Sequence, residues 1–445
     1  KKLRRFPVIV MGNISSPMDL YYMKTVKFYL SLVNAWPYKE FGAAHREKFK
    51  YLPIRNFKAM IIYWICIFIS ISMYIRTNIG KLDFYELGHN YITCFMSIVC
   101  IVSLFVRVIS FIISLMPLIN AYMNIIPEFV LKLHLFHFKQ KSEYAMKIYK
   151  KVHKISSIFT VIIYIQVYFT VIFFNLTPFY NNIKSGVFKA SQHSLENGTR
   201  YEYAVYYYTK FEHNNLIYAI ISSVNWLIVF DGGLYFCTYD LLVSLIAFHI
   251  WGHLKILKYN LKNFQKLNSV QTIMNEHENL MYYNVEKSQN IKKFLIENIK
   301  HHKMITKLVE NASQAFGLMI CVYYIFHQVI GCILLLEISA MNKEALVTYG
   351  TLTIWMFQQL TQISIIFESI ASESEMIKDA IYDLPWESMD LKNRKIVLIF
   401  LSHAQTPITF KASGLISVGV RTMAEIIKTS FSYYLMLHTA AKLEA

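Results

Sequence analysis

Long apolar runs separated by charged stretches set the pattern of this chain. Seven runs reach the roughly 20 residues that an α-helix needs to cross a hydrocarbon layer of about 30 Å. They lie at 57–77, 91–122, 156–177, 215–249, 309–338, 345–370 and 413–438. The pattern predicts an all-α membrane protein with seven transmembrane helices. Around them it predicts an amino-terminal segment at 1–56, spans one to four within 57–252, a helical extension at 253–308, spans five and six within 309–371, another helix within 372–412 and the last span at 413–439.

Two connecting stretches carry helical periodicity of their own. The pattern of span four runs on through Trp251, Leu254, Ile256 and Leu257, well past what a bilayer requires. Residues 253–316 contain neither Gly nor Pro and predict long amphipathic helix with at least one break, its buried stripe drawn from Leu280, Tyr283, Val285, Phe294, Leu295 and Ile299. Pro385 and Pro407 bracket a second segment in which Ile396, Val397, Phe400 and Leu401 form an apolar face. Packed together, these segments would make a compact membrane-proximal anchor domain. An amphipathic helix lying on the inner leaflet is the alternative for the second segment.

Composition agrees with the pattern. Hydrophobic residues make up 55% and charged residues 16%, with a mean hydropathy of +0.35, whereas soluble domains carry about 25% charge. The net charge of +17 on its own would admit a nucleic-acid partner. Its distribution gives it another meaning: 34 of the 45 Lys and Arg lie in the amino-terminal segment and alternate loops, and only 6 in the other loops. Positive residues stay on the cytoplasmic side, so the amino terminus is expected inside and, after an odd number of spans, the carboxy terminus outside. Asn197-Gly-Thr then falls on the outer side, where a glycan could be attached, while Asn13 and Asn311 fall inside. The basic first fifty residues lack the apolar core of a cleavable signal. All six cysteines lie within apolar spans, so no disulfide framework is expected.

Candidate chemistry is sparse. No nucleophile elbow, HExxH, CxxC, P-loop or dinucleotide fingerprint is present, so neither an enzyme nor a cofactor or metal site is expected. His301-His302 reads as a solvated pair, and Glu373 with Glu375 as a wet helix end. Arg107 and Asp231 reach similar depths in spans two and four and are expected to form a structural ion pair, each finding its own wet neighbour being the alternative. Phe95, Tyr168, Ile172, Tyr218, Ser222, Tyr349 and Thr353 are expected to line an apolar pocket with a few hydroxyls in the outer half of the bundle, suited to a small volatile with one oxygen function. Lipid-facing or core packing is the plainer reading of any one of them.

The carboxy-terminal run from Met423 through Ile426-Ile-Lys-Thr-Ser-Phe-Ser432 to His438 resembles the last helix of insect odorant receptors. Trp36-Pro37, Asp240 followed by His249 and Gly252, Tyr382-Asp-Leu-Pro-Trp386 and Gln405-Thr-Pro-Ile408 are similar to that family's landmarks, and the resemblance covers essentially the whole chain. It implies an odorant-gated, poorly selective cation channel: a heterotetramer in which this tuning subunit joins a common co-receptor in the plasma membrane of olfactory sensory neurons. It also implies the inverted topology, with Met436 at a hydrophobic constriction of the pore and Thr439 just beyond. Residues 440–445 look like a linker remnant. The gustatory receptors' ending is absent, as are the Asp-Arg-Tyr and Asn-Pro-x-x-Tyr motifs of G-protein-coupled receptors, which makes a gustatory-type channel or a metabotropic receptor the weaker alternatives.

Overall fold

The computed structural model describes residues 15–32, 57–79, 124–189, 201–208, 215–264, 281–339, 343–412 and 416–444, with single positions or short pieces at 36–37, 41, 81, 90–98, 272–274 and 414. Helix α1 is Tyr21–Leu32, α2 is Phe57–Asn78, α3 is Glu143–Lys184 and α4 is Asn215–Lys262. A short hairpin pairs β1, Thr272–Met274, antiparallel with β2, Met281–Tyr283. Then come α5, Val285–Ser339, α6, Lys343–Tyr382, and α7, Leu391–Ala404. A second hairpin joins β3, Lys411–Ala412, to β4, Ile416–Ser417, before α8, Val420–Glu444. Helices α2, α3, α4, α5, α6 and α8 each exceed the length of a bilayer core, and helical pieces within 90–98 fall where the second span is expected.

Among the described residues helices cover six of the seven apolar runs, and several are much longer. Helix α3 has 42 residues, α4 has 48 and α5 has 55, so α5 alone is about 83 Å long. Ser142 starts α3 by accepting a hydrogen bond from the Ala145 amide at 3.0 Å. The helix then passes through Pro178, where the sequence pattern ends span three, because its last turn is held further on by contacts of Asn181 and Asn182. The last span is shorter at its start than expected. Gly414, at φ +75°, turns the second hairpin, so helix begins only at Val420.

One large core runs through the bundle. Below the spans it joins Leu254, Leu257, Leu261 and Phe264 of α4 to Leu295 and Leu308 of α5, Ile377 and Ile381 of α6 and Val397 and Phe400 of α7. Burying each of these side chains is worth about 1.5–3 kcal/mol. Of the expected stripe, Leu295 is buried and Tyr283, Phe294 and Ile299 pack against the core. Val285 does not: as the first residue of α5 it is 73% exposed. Leu280 lies outside the described residues.

Candidate functional site

The carboxy-terminal end of α3 and the amino-terminal half of α4 are covered by residues 201–208, which run across the bundle as a strap. Its backbone is held by three buried asparagines from three different helical segments. Asn182 of α3 donates to the Glu202 carbonyl at 2.7 Å and accepts from the Glu202 amide at 2.9 Å. Asn90 treats Tyr206 the same way, donating at 2.8 Å and accepting at 3.1 Å. Asn225 of α4 donates to the Val205 carbonyl at 3.2 Å and accepts from the Tyr207 hydroxyl at 2.6 Å. An amide side chain reproduces the pairing of a neighbouring strand, so the strap satisfies its peptide groups without one.

Between these fixings the strap's side chains fill the bundle. Val205 and Ala204 enter the main core. Tyr201 and Tyr203 pack on Tyr218 with ring centroids 5.2 and 5.3 Å away, and Phe188 closes the cluster at 5.1 Å. A cleft lies beside α3, lined by Phe169, Phe173, Phe174, Thr351, Leu352 and Trp355, with a volume of about 10 Å³. That is room for about one water.

The expected pocket residues divide accordingly. Tyr218 is buried in the aromatic cluster, with Ser222 half-buried one turn along, and both hydroxyls lie within reach of each other. Thr353 is buried on α6. Tyr168 and Ile172 are 45% exposed, and the Tyr168 hydroxyl is 3.0 Å from that of Tyr29 on α1. Tyr168 lies 14 residues, about 21 Å, along α3 from Asn182, so it stands at the level of α1 and not of the strap. Phe95, Asn197 and Arg107 lie outside the described residues, as does the side chain of Tyr349; the Asp231–Arg107 pairing therefore rests on sequence alone. Asn90, Asn182, Asn225 and Tyr207 were not singled out in the sequence. The available signal was an amide within an apolar run, which must find a partner.

The opposite end of the bundle corrects two expectations. Glu373 is not a wet helix end without a partner: its side chain is 10% exposed and bridges Lys255 and Lys258 of α4, the latter at 2.5 Å. Burial opposes its ionisation, but the hydrogen bonds and charges of the two lysines outweigh that and hold the carboxyl below its usual range. Glu375 is exposed and pairs with Lys378. Nor are His301 and His302 a solvated pair. The His301 ring stacks on Phe138 and lies 3.1 Å from His253, while His302 packs edge-on against Phe400. Beside them Tyr22 bonds His134 at 2.9 Å. Burial pushes the His253 imidazole down to about 4, against the bond it makes to the Leu133 carbonyl. Among the described residues no three metal-ligating side chains converge.

Helix α8 sits at the edge. It packs on α5 and α6, and Ser430, in the middle of the terminal motif, is fully buried and donates to the Gln328 carbonyl of α5 at 3.2 Å. The approach is close because Gly331 lies there: a Cβ on it would stand 3.1 Å from Ser430 Oγ and 3.2 Å from Met356 Cε. Glu368 of α6 accepts the first amide of α8, Val420 N, at 3.1 Å, placing a carboxylate on the positive end of the helix. The other face stays open. Phe431, Tyr433, Leu435 and Met436 are 46–58% exposed, and Thr439 is exposed with its hydroxyl bonded back to Leu435.

A family model described as "7tm Odorant receptor" matches residues 83–431, more than three-quarters of the chain. The chain belongs to the seven-transmembrane odorant receptor family. Among curated relatives, this odorant receptor is 27% identical over 144 residues to Odorant receptor 33b of Drosophila melanogaster and 22% identical over 144 residues to Odorant receptor Or2 of Anopheles gambiae. Each match takes in 32% of this chain and 38% of the relative, so it spans well under half of those proteins. The fold of the receptor matches the insect olfactory receptor OR5 from Machilis hrabei, solved in complex with eugenol, with a TM-score of 0.69 over 94% of this chain and 97% of that one, at 14% identity. The all-helical fold with several membrane-length apolar helices, expected from the apolar runs, matches that structure.

Proposed function

We propose that this receptor is the odorant-binding tuning subunit of a heteromeric, ligand-gated, non-selective cation channel, assembled as a tetramer with the common co-receptor and placed in the plasma membrane of olfactory sensory neurons. The observation that carries the reading is α8: a membrane-length helix anchored along one face by Ser430 and capped by Glu368, yet open along the face bearing Leu435, Met436 and Thr439. A helix with one seated and one open face suits the wall of a pore shared between subunits. Met436 would form the hydrophobic constriction, which closes by expelling water, with Thr439 beyond it. A small volatile bound in the outer half, near Tyr218, Ser222 and Thr353, would open the channel by binding the open arrangement more tightly than the closed one. The buried contacts among α4, α5, α6 and α7 would serve as the cytoplasmic anchor between subunits.

Whole-cell current during an odorant panel tests this, with the chain expressed alone and with an insect co-receptor while G-protein signalling is blocked. Fast cation current only on co-expression, altered by Met436→Ala, is expected. A nucleotide-dependent signal without such current would overturn it.

A further inference from the structure

The polar tip of Tyr207 in the strap reaches a buried amide inside span four. Its hydroxyl donates to Asn225 Oδ1 at 2.6 Å, and Asn225 is 1% exposed. Asn225 lies ten residues, about 15 Å, inside α4 from Asn215. Tyr218, Ser222 and Asn225 follow one another at spacings of four and three, so they share one face of α4. The strap covers both ends of that face: Tyr201 and Tyr203 lie on Tyr218, and Val205 and Tyr207 bond Asn225. The face that offers hydroxyls and an amide to a ligand is therefore occupied by the chain itself.

The chemistry of the occupant identifies what could replace it. A tyrosine side chain is p-cresol, held here by one hydrogen bond from a phenol to an amide oxygen and by apolar contact. We infer that Asn225 Oδ1 is a ligand-recognition group for small volatile phenols and alcohols, and that Tyr207 is its internal competitor. This deepens the odorant-binding reading and rests on it. A ligand with a hydroxyl donor takes over the bond to Asn225 as Tyr207 leaves, so the buried acceptor stays satisfied. A methyl ether of the same shape cannot, and leaves Oδ1 unpaired. Asn225 Nδ2 keeps its bond to the Val205 carbonyl throughout, so the strap backbone stays fixed while the ring is displaced.

The test compares p-cresol with p-methylanisole. Tyr207→Phe keeps the ring but removes the competing hydroxyl; in cells co-expressing the co-receptor it is expected to lower the half-maximal concentration about fivefold for both compounds, because a weaker internal competitor yields to either, while p-cresol remains the more potent of the two since only it pairs Asn225. Purified Tyr207→Ala receptor is expected to gain thermal stability in p-cresol but not in p-methylanisole, because only the phenol refills the space and pairs Asn225. Equal potency of the two compounds, no gain in Tyr207→Phe, or equal stabilisation of Tyr207→Ala by both would overturn the inference. The two readings separate: odorant-evoked current without discrimination between phenol and ether keeps the channel and removes this site, whereas stabilisation by p-cresol without current keeps the site and removes the channel.

Discussion

Replacing Glu373 with Gln is expected to be among the most destabilising single changes at the end of the bundle away from the strap. The carboxylate ties α6 to two successive turns of α4, and its side chain is only 10% exposed, against 25% for Lys255 and 17% for Lys258. Stranding one half of a buried ion pair costs about 3–5 kcal/mol. Each ammonium here retains some water, which reduces that figure to about 2–3 kcal/mol. The receptor, solubilised with its lipids, should therefore lose several degrees of apparent melting temperature, read from the surviving size-exclusion peak after heating. Glu373→Gln combined with Lys258→Met should cost less than the sum of the two single changes, because the double variant strands one charge fewer. The pH dependence follows from the depressed carboxyl. The stabilisation is fully present above the ordinary Glu value of about 4.3 and is lost as pH falls through the lower folded value, so wild type and Glu373→Gln should converge in acid. A melting temperature within about 1 °C of wild type at pH 7, or a constant gap down to the lowest pH, would refute the argument.

Two other outcomes follow from the geometry. Gly331→Leu should abolish evoked current while leaving the chain at the cell surface, because its branches would occupy the space of Ser430 and Met356 and lift α8 off α5; Gly331→Ala, needing shifts of only a few tenths of an ångström, should be mild. The folded His253 takes up its proton only near pH 4 and the unfolded one near 6.5, so between those values the unfolded chain binds the extra proton and stability falls with pH, by about 3 kcal/mol at the lower end. Thermal melts from pH 7 to 5 should show this decline for wild type and a flatter one for His253→Gln; parallel curves would exclude it.

What could be read in the sequence was what one helix determines by itself. The apolar runs locate the spans, and the amphipathic run around Val397 and Phe400 locates α7, because burial on one face of a helix leaves a local period. The features that escaped are pairings across long separations. Glu373 meets Lys258 115 residues away, and Asn90 meets Tyr206 116 residues away; no local period encodes either. Charge alone suggested that Glu373 was wet, and its two partners reverse that. His301 and His302 read as solvated because adjacent residues cannot share a helix face, but two different neighbours, His253 and Phe400, bury them separately. The start of α8 was misjudged because the hairpin at Lys411–Ser417 is apolar enough to merge with the helix, and only Gly414 marks the turn. In the candidate site, Tyr218, Ser222 and Thr353 are proposed from their place in the spans alone, whereas the strap was invisible because its order comes from asparagines on other elements.

Helix α5 runs without interruption from the hairpin beside α7 to the end of the span that seats α8. Such a rod behaves mechanically as a lever whose arms are each about 40 Å long. A pivot of about 3° at its middle would move each end by about 2 Å, in opposite directions. Since Gly331 and the Gln328 carbonyl, which hold α8, lie on one arm and Leu295 on the other, events among the inner helices and the position of the edge helix are not independent variables. Loosening one arm should change how readily the other moves, without any ligand being involved.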